Sequence, residues 1–268
     1  VTGTEPAAAR IDTTRPHPAR VYDWFLGGKD NYPVDEELGR RITAIDQGAL
    51  RAARANRAFM QRAARALAED GIRQFLDIGT GIPTEPNLHQ IAQSVAPDSR
   101  VVYVDNDPIV LAHASALLRG TPEGVTEYVQ ADARDPRSIL EQAARVLDFD
   151  RPVALSLIAL LHFVADEDGA HEVVSTLVDA LAPGSRLVLS MMTADFEREN
   201  VEKGIAAYAA GGVTLVARSR DEVAAFFRGL DLLEPGVVSV ADWRPAGTPD
   251  DRGPVSLYGA VGAKPVRG

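Results

Sequence analysis

Three aspartates close three apolar runs in this 268-residue chain: Asp77 in "QFLDIGTG", Asp105 in "RVVYVD" and Asp132 in "VTEYVQAD". Short apolar runs bounded by turn residues read as buried strands. The carboxyl end of a parallel strand is where open α/β sheets bind ligands. Three acids at three successive strand ends say more than the glycine pair beside the first. That pair, in Gly79-Thr80-Gly81, lets the backbone approach a ligand closely. The dinucleotide fingerprint GxGxxG is incomplete, because its last position is Thr84.

Each acid suits a different ligand group. Asp77 stands two residues before Gly79, where a dinucleotide fold seats a pyrophosphate, and a carboxylate there repels phosphate. A cofactor with a cationic end tolerates it. S-adenosylmethionine (SAM) carries an ammonium and a sulfonium and no phosphate. Asp77 can accept from its ammonium, directly or through water or loop amides; otherwise it ties down the loop. Asp105, with Asn106 beside it, suits the two ribose hydroxyls of SAM or NAD alike. Asp132 can accept from the adenine amine while the Ala133 amide reaches a ring nitrogen. Asp107 and Asp135 each precede a proline and are better placed as helix N-caps.

The elements that must carry these acids alternate. Strand-like runs at "QFLDIG", "RVVYVD", "VTEYVQ", "PVALSLIAL" and "SRLVLSMM" are separated by helical runs at 84–95, 107–118, 136–147 and 168–182. Such alternation predicts a parallel sheet with right-handed crossovers. Helices near 195–210 and 219–228 follow. Then "LDLLEPGVVSV" and "VSLYGAVGA" predict an antiparallel hairpin at the sheet edge. Upstream, a mobile tail over 1–17 leads to a helix over 18–26 that stops at Gly27-Gly28. "KDNYPVD" reads as a loop, with Pro33 opposing helix continuation. Residues 50–70 form an amphipathic helix. Ala52, Phe59, Ala63, Ala66 and Leu67 make its apolar face, and Arg51, Arg54, Arg62 and Arg65 a solvated one. Asn56 projects from the apolar face and needs a partner, either in the cap loop or in a ligand.

Composition narrows the partners. Residues 1–70 hold 11 basic and 10 acidic residues; the rest hold 17 and 28, giving −10 overall. So acidic a core repels phosphate backbones, which argues against nucleic acid. There is no apolar stretch long enough to span a membrane, no secretory pattern and no cysteine. A cytoplasmic protein without thiolate metal sites is expected.

"LDIGTG", "VVYVDNDP" and "ADARDP" resemble class I SAM-dependent methyltransferases. More narrowly, the chain resembles the actinobacterial S-adenosyl methyltransferase family, once known as a domain of unknown function. That likeness rests on "ARVYDWFLGGKDNYPVD", "ARANRAFMQRA", "LDIGTGIPT", "VVYVDNDPIVLAHA", "LLHFVADED", "LAPGSRLVLS" and "LYGAVG", over about residues 16–262. It implies a Rossmann-like α/β fold with a seven-stranded, mostly parallel sheet and one antiparallel strand, and SAM as cofactor. The superfamily's third loop glycine falls on Pro83; within the narrower family a proline there is normal.

A SAM-binding core over 71–268 would then sit beneath an N-terminal tail and helical cap over 1–70. Methyl transfer gains most from alignment and water exclusion, which a lid supplies. Tyr22, Trp24, Phe25 and Tyr32 are its candidate aromatics, either facing the sulfonium or packing the cap. Lys29, Asp30 and Asn31 are candidates for the cofactor's carboxylate and ammonium, or simply solvate a turn. His162, after the fourth strand, is the candidate general base for a hydroxyl or amine acceptor, or fixes its loop. His89, His113 and His171 read as ordinary surface or core residues, and Asp166, Glu167 and Asp168 as caps of the next helix. The expected activity is methyl transfer to a small-molecule acceptor, on oxygen or nitrogen. The rivals are a non-catalytic SAM-binding module and an NAD-dependent oxidoreductase.

Overall fold

β1 (Gln74–Ile78) is buried along its whole length and is flanked in parallel by β2 (Arg100–Asp105) and β4 (Ala154–Ile158). The computed structural model describes residues 12–110, 120–245 and 253–266. β3 (Val125–Gln130) extends the sheet beyond β2, and β5 (Arg186–Met192) beyond β4. Strand order reverses between β1 and β4, the switch point at which open sheets leave a crevice. β8 (Leu257–Ala263) runs antiparallel to β5.

The expected edge pairing forms, but β8 lies inside the sheet, between β5 and two short pieces, β6 (Asp231–Leu232) and β7 (Val238–Ser239). The sheet therefore counts eight strands, its last position being split in two. Between the pieces Pro235 removes a ladder donor, and Gly236, at φ 81°, turns the chain.

Alternation along the strands separates two cores. Leu76, Val102, Leu155 and Leu187 face one side, against α5 (Pro136–Ala143) and α6 (Ala170–Asp179). Phe75, Val101, Ala154 and Val188 face the other, against α3 (Ala49–Glu69) and α4 (Leu88–Val95). Residues 108–110 are helical; residues 111–119, with His113 and the rest of the expected helix over 107–118, lie outside the described residues, as does the expected mobile tail up to residue 11. Among the described residues no helix is long and apolar enough to cross a membrane.

At the N-terminus α1 (Pro18–Leu26) ends at Gly27, φ 82°, as expected. Pro33 needs correcting: it does not hold the chain in a loop but opens α2 (Pro33–Ile45). At the first helical position its missing N–H costs nothing. The buried Asp35 carboxylate fixes this start, accepting from the amides of Tyr32 at 2.9 Å and His17 at 2.8 Å. The expected solvated arginine face of α3 also divides. Arg54 and Arg65 are exposed. Arg51 instead donates to the carbonyls of Gly253 and Pro254, and Arg62 to those of Val240 and Trp243.

A third apolar cluster joins Val21 and Phe25 of α1, Leu38 and Ile42 of α2, and Ala53 of α3 to Ala207 and Tyr208 of α7 (Arg198–Ala210). Together these helices roof the carboxyl ends of the central strands. Trp24 packs so close to Gly39 that a Cβ there would lie 2.3 Å from its ring.

Candidate functional site

A cavity of about 560 Å³ lies between the strand ends and this roof. Its floor includes Asp77, Gly79, Thr80 and Gly81, then Asp105 and Asn106, then Asp132 and Ala133. Tyr22 from α1 and His162 from the turn after β4 also line it. Lys29, Asp30 and Asn31 do not. They form the α1–α2 turn, where the Asp30 amide and the Asn31 side chain donate to Asp23 at 3.0 and 2.8 Å. Lys29 is exposed.

The glycine pair does the work that its spacing suggests. Gly79 and Gly81 both have positive φ, 75° and 68°. A Cβ on Gly79 would come within 2.7 Å of Leu160, whereas one on Gly81 would meet open space. The Gly81 backbone is thus the part of the loop left open for a ligand. Thr80 locks the turn, its hydroxyl donating to the Asp77 carbonyl at 3.0 Å. Helix α4 starts later than the expected residue 84, capped by Asn87, which accepts from the Thr84 amide at 3.1 Å. With the helix start moved past Pro83, no third glycine is needed to bring it close.

The three acids have distinct electrostatic settings. Asp77 is buried, and desolvation pushes its carboxyl up to about 6, against the pull of Ser156, Arg57 and Thr80. Asp105 is also buried and shifted upward by desolvation. Its two oxygens accept from the amides of Gly81 and Asp107 at 2.8 and 2.9 Å. This carboxylate both shapes the loop and faces the cavity. Asp132 is more open and is held below the usual carboxylate range by Arg134, whose guanidinium lies 2.6 Å away. Asp107 and Asp135 act as N-caps, as expected.

Arg57 of α3 is the residue that the sequence reading missed. It lines the cavity and interacts electrostatically with Asp77. One of its terminal nitrogens donates to the carbonyls of Thr84 and Pro86, which fastens the end of the glycine loop. Burial lowers its pKa, and its Nε is buried without a partner. A carboxylate and a guanidinium that line one cavity complement a zwitterion. Its sequence signal is positional: on the helix wheel Arg57 lies off the stripe of Arg51, Arg54, Arg62 and Arg65.

Asn56 is fully buried and bridges roof to sheet. Its amide donates to the Tyr22 hydroxyl at 3.0 Å, and its carbonyl accepts from Ser190 of β5 at 2.6 Å. Tyr22 in turn donates to the Ala53 carbonyl. After β4, Ala159 adopts φ 52°, a conformation that a non-glycine residue holds only under constraint. Its amide donates to the Ser190 hydroxyl at 3.0 Å.

His162 corrects an expectation. Its Nδ1 accepts from the Met192 amide at 3.3 Å, so the proton resides on Nε2. Burial, reinforced by Arg218, lowers its pKa to about 3. A ring so weakly basic suits hydrogen-bond donation better than general-base catalysis. Arg218 itself is buried and holds this turn, donating to the carbonyls of Leu161 and Val164, both at 2.9 Å, and to Asp166 at 2.7 Å. Asp166 is therefore an ion-pair partner and not a cap; Gly169 takes the N-cap position of α6. Buried His89 bonds Tyr103, while His171 stacks on Phe226. Among the described residues no group of three or more His, Asp or Glu is placed to hold a metal ion.

A switch-point crevice with a two-glycine loop and acids at or just past the carboxyl ends of β1, β2 and β3 defines the cofactor site of a Rossmann-like α/β enzyme fold. The S-adenosyl methyltransferase family profile matches residues 4–265, and the chain belongs to that family; its cofactor is S-adenosylmethionine. A DUF574 family protein from Streptomyces avermitilis is 51% identical, with a TM-score of 0.93 over 96% of this chain and 100% of that one. A candidate methyltransferase from Thermobifida fusca is 40% identical, with a TM-score of 0.89 over 95% and 97%. Human N-acetylserotonin methyltransferase in complex with SAM shares the fold alone, at 13% identity and a TM-score of 0.51 over 94% and 63%. A comparison with curated proteins gives no match.

Proposed function

We propose that the protein methylates a small-molecule acceptor on oxygen or nitrogen beneath a cap to which α1, α2 and α3 contribute. The carrying observation is that Asp77 and Arg57 line the same cavity and interact electrostatically. Asp77 would hold the cofactor's ammonium, and Arg57 its carboxylate. Asp105 and Asn106 would take the ribose, and Asp132 with the Ala133 amide the adenine. The open Gly81 backbone and this donor set fit SAM and disfavour a pyrophosphate cofactor. When bound, SAM supplies an electrophilic methyl carbon.

The protein's own contribution is alignment and exclusion of water. Tyr22 and Phe25 cover the cavity from α1, and the Asn56 bridge fixes that cover to β5. His162 presents a neutral ring. The cavity continues past the floor beneath α2 and α7, which supports a catalytic reading over a module that only binds SAM.

Calorimetric titration should show SAM and S-adenosylhomocysteine (SAH) binding with micromolar affinity and no binding of NADH. The reverse result would defeat the cofactor assignment. Incubation with methyl-labelled SAM and a metabolite panel should then label a small molecule. Label found only in macromolecules would overturn the acceptor class.

A further inference from the structure

Away from the floor the cavity is walled by Phe25, Ile42, Ile45, Phe163, Tyr208 and Leu215. Among the described residues lining this half, Asp46 is the one formal charge. It follows the last turn of α2, and its amide closes that helix by donating to the Ile42 carbonyl. One carboxylate oxygen, Oδ1, accepts from the Gly48 amide at 2.7 Å. No described residue is hydrogen-bonded to Oδ2.

Three features make this a place for positive charge. The carboxylate itself is the first. The carboxyl end of the 13-residue α2 carries the negative end of the helix dipole. Glu197, at the start of α7, adds a second negative charge that Asp46 feels; together with burial it raises the Asp46 pKa. Arg51, the cation acting on Asp46, donates to the carbonyls of Gly253 and Pro254. An anionic group entering here would face the Asp46 carboxylate and a helix carboxyl end, in the field of Glu197. An ammonium would be paired and would relieve the cost of the half-buried charge.

We propose that the methyl acceptor is a small apolar molecule whose ammonium sits against Asp46 while its hydrocarbon or aromatic body lies along the apolar walls; the atom methylated is a separate hydroxyl or uncharged nitrogen of that molecule, which takes the methyl group and gives up its proton to solvent as SAM leaves as SAH. The proposal rests on the methyltransferase reading above. Asp46 selects the substrate by charge and takes no part in bond making.

The test uses three probes with a common body: 2-phenylethylamine, 2-phenylethanol and 3-phenylpropionate. Each is titrated into the full-length protein with and without saturating SAH. The amine should bind at least about tenfold more tightly than the acid, with the alcohol between them. Asp46→Asn, which keeps an oxygen for the Gly48 amide, should weaken the amine about tenfold and leave the alcohol and SAH unchanged. Equal binding of amine and acid by the native protein would overturn the proposal, as would an Asp46→Asn variant that keeps its amine affinity. Failure of SAH to bind would instead remove the cofactor reading, and the amine series without SAH would still decide the role of Asp46.

Discussion

The floor of the cavity is made by residues that each lie within a few positions of the end of their own strand. The roof brings α1, α2 and α3 together with α7, and its central polar bridge joins Asn56 to a serine 134 residues away. The floor is rich in charge, with Asp77, Asp105 and Asp132 bordering it; the half under the roof has Asp46 as the one formal charge among its described lining residues. The difference separates two tasks. The floor sets polar groups in fixed order along the sheet, and the proposed reading matches them to one cofactor. The roof shapes an apolar volume whose chemistry depends on how helices pack.

That contrast can be broken at several points. The largest effect is expected at Arg57. Arg57→Met keeps the apolar stem but removes the guanidinium, which should weaken SAM about 10–100-fold in calorimetry, the range for a charge-assisted hydrogen bond of about 1.5–3 kcal/mol. An unchanged affinity would mean that Arg57 serves only the loop carbonyls of Thr84 and Pro86.

A second effect concerns pH. The free protein holds the Asp77 pKa at about 6, above its ordinary value. Below that pH the carboxyl is neutral and cannot pair with an ammonium. SAM affinity should therefore fall as pH drops through about 6 and level off above it. Asp77→Asn should remove this step and bind weakly throughout. In the ligand-free protein the sign is opposite: a raised carboxyl pKa favours the folded state at low pH, and that contribution is lost as pH rises through about 6.

Roof and floor should also separate in stability. Asn56→Ala removes the buried bridge between the Ser190 and Tyr22 hydroxyls, leaving each with one partner fewer, and should cost about 1–3 kcal/mol. Thermal unfolding should register this as a drop of about 2–4 °C per kcal/mol. SAM affinity should change less than stability does. The smallest effect is expected at Lys29→Ala, within about 0.5 kcal/mol in either measurement, because Lys29 is exposed and outside the cavity.

How much of this was legible follows from the same contrast. The floor is local: a strand, an acid and a turn occur within eight residues, so "QFLDIGTG" announces itself. The five parallel strands and the late antiparallel strand were readable for the same reason. The cap was misread where local rules cut both ways. Pro33 is a helix breaker in mid-helix and a helix starter at its first position, and the buried Asp35 that decides between them pairs with a residue 18 positions earlier. Lys29, Asp30 and Asn31 look like ligand residues by type, yet their turn is spent on Asp23. Arg57 stands apart from the other arginines on the helix wheel, but only the fold shows that this offset turns it toward the cavity. His162 was correctly placed beside the cavity, but its tautomer depends on a Met192 amide from the neighbouring strand.

The central claim is that Asp77 and Arg57 read the amino-acid tail of the cofactor. The most direct test titrates SAH and 5′-methylthioadenosine, which lacks that tail, into the native protein, Asp77→Asn and Arg57→Met. The account predicts that both substitutions weaken SAH about tenfold or more and leave 5′-methylthioadenosine nearly unchanged. Equal losses for the two ligands would show that these residues shape the loop and do not recognise the tail, which would contradict the account.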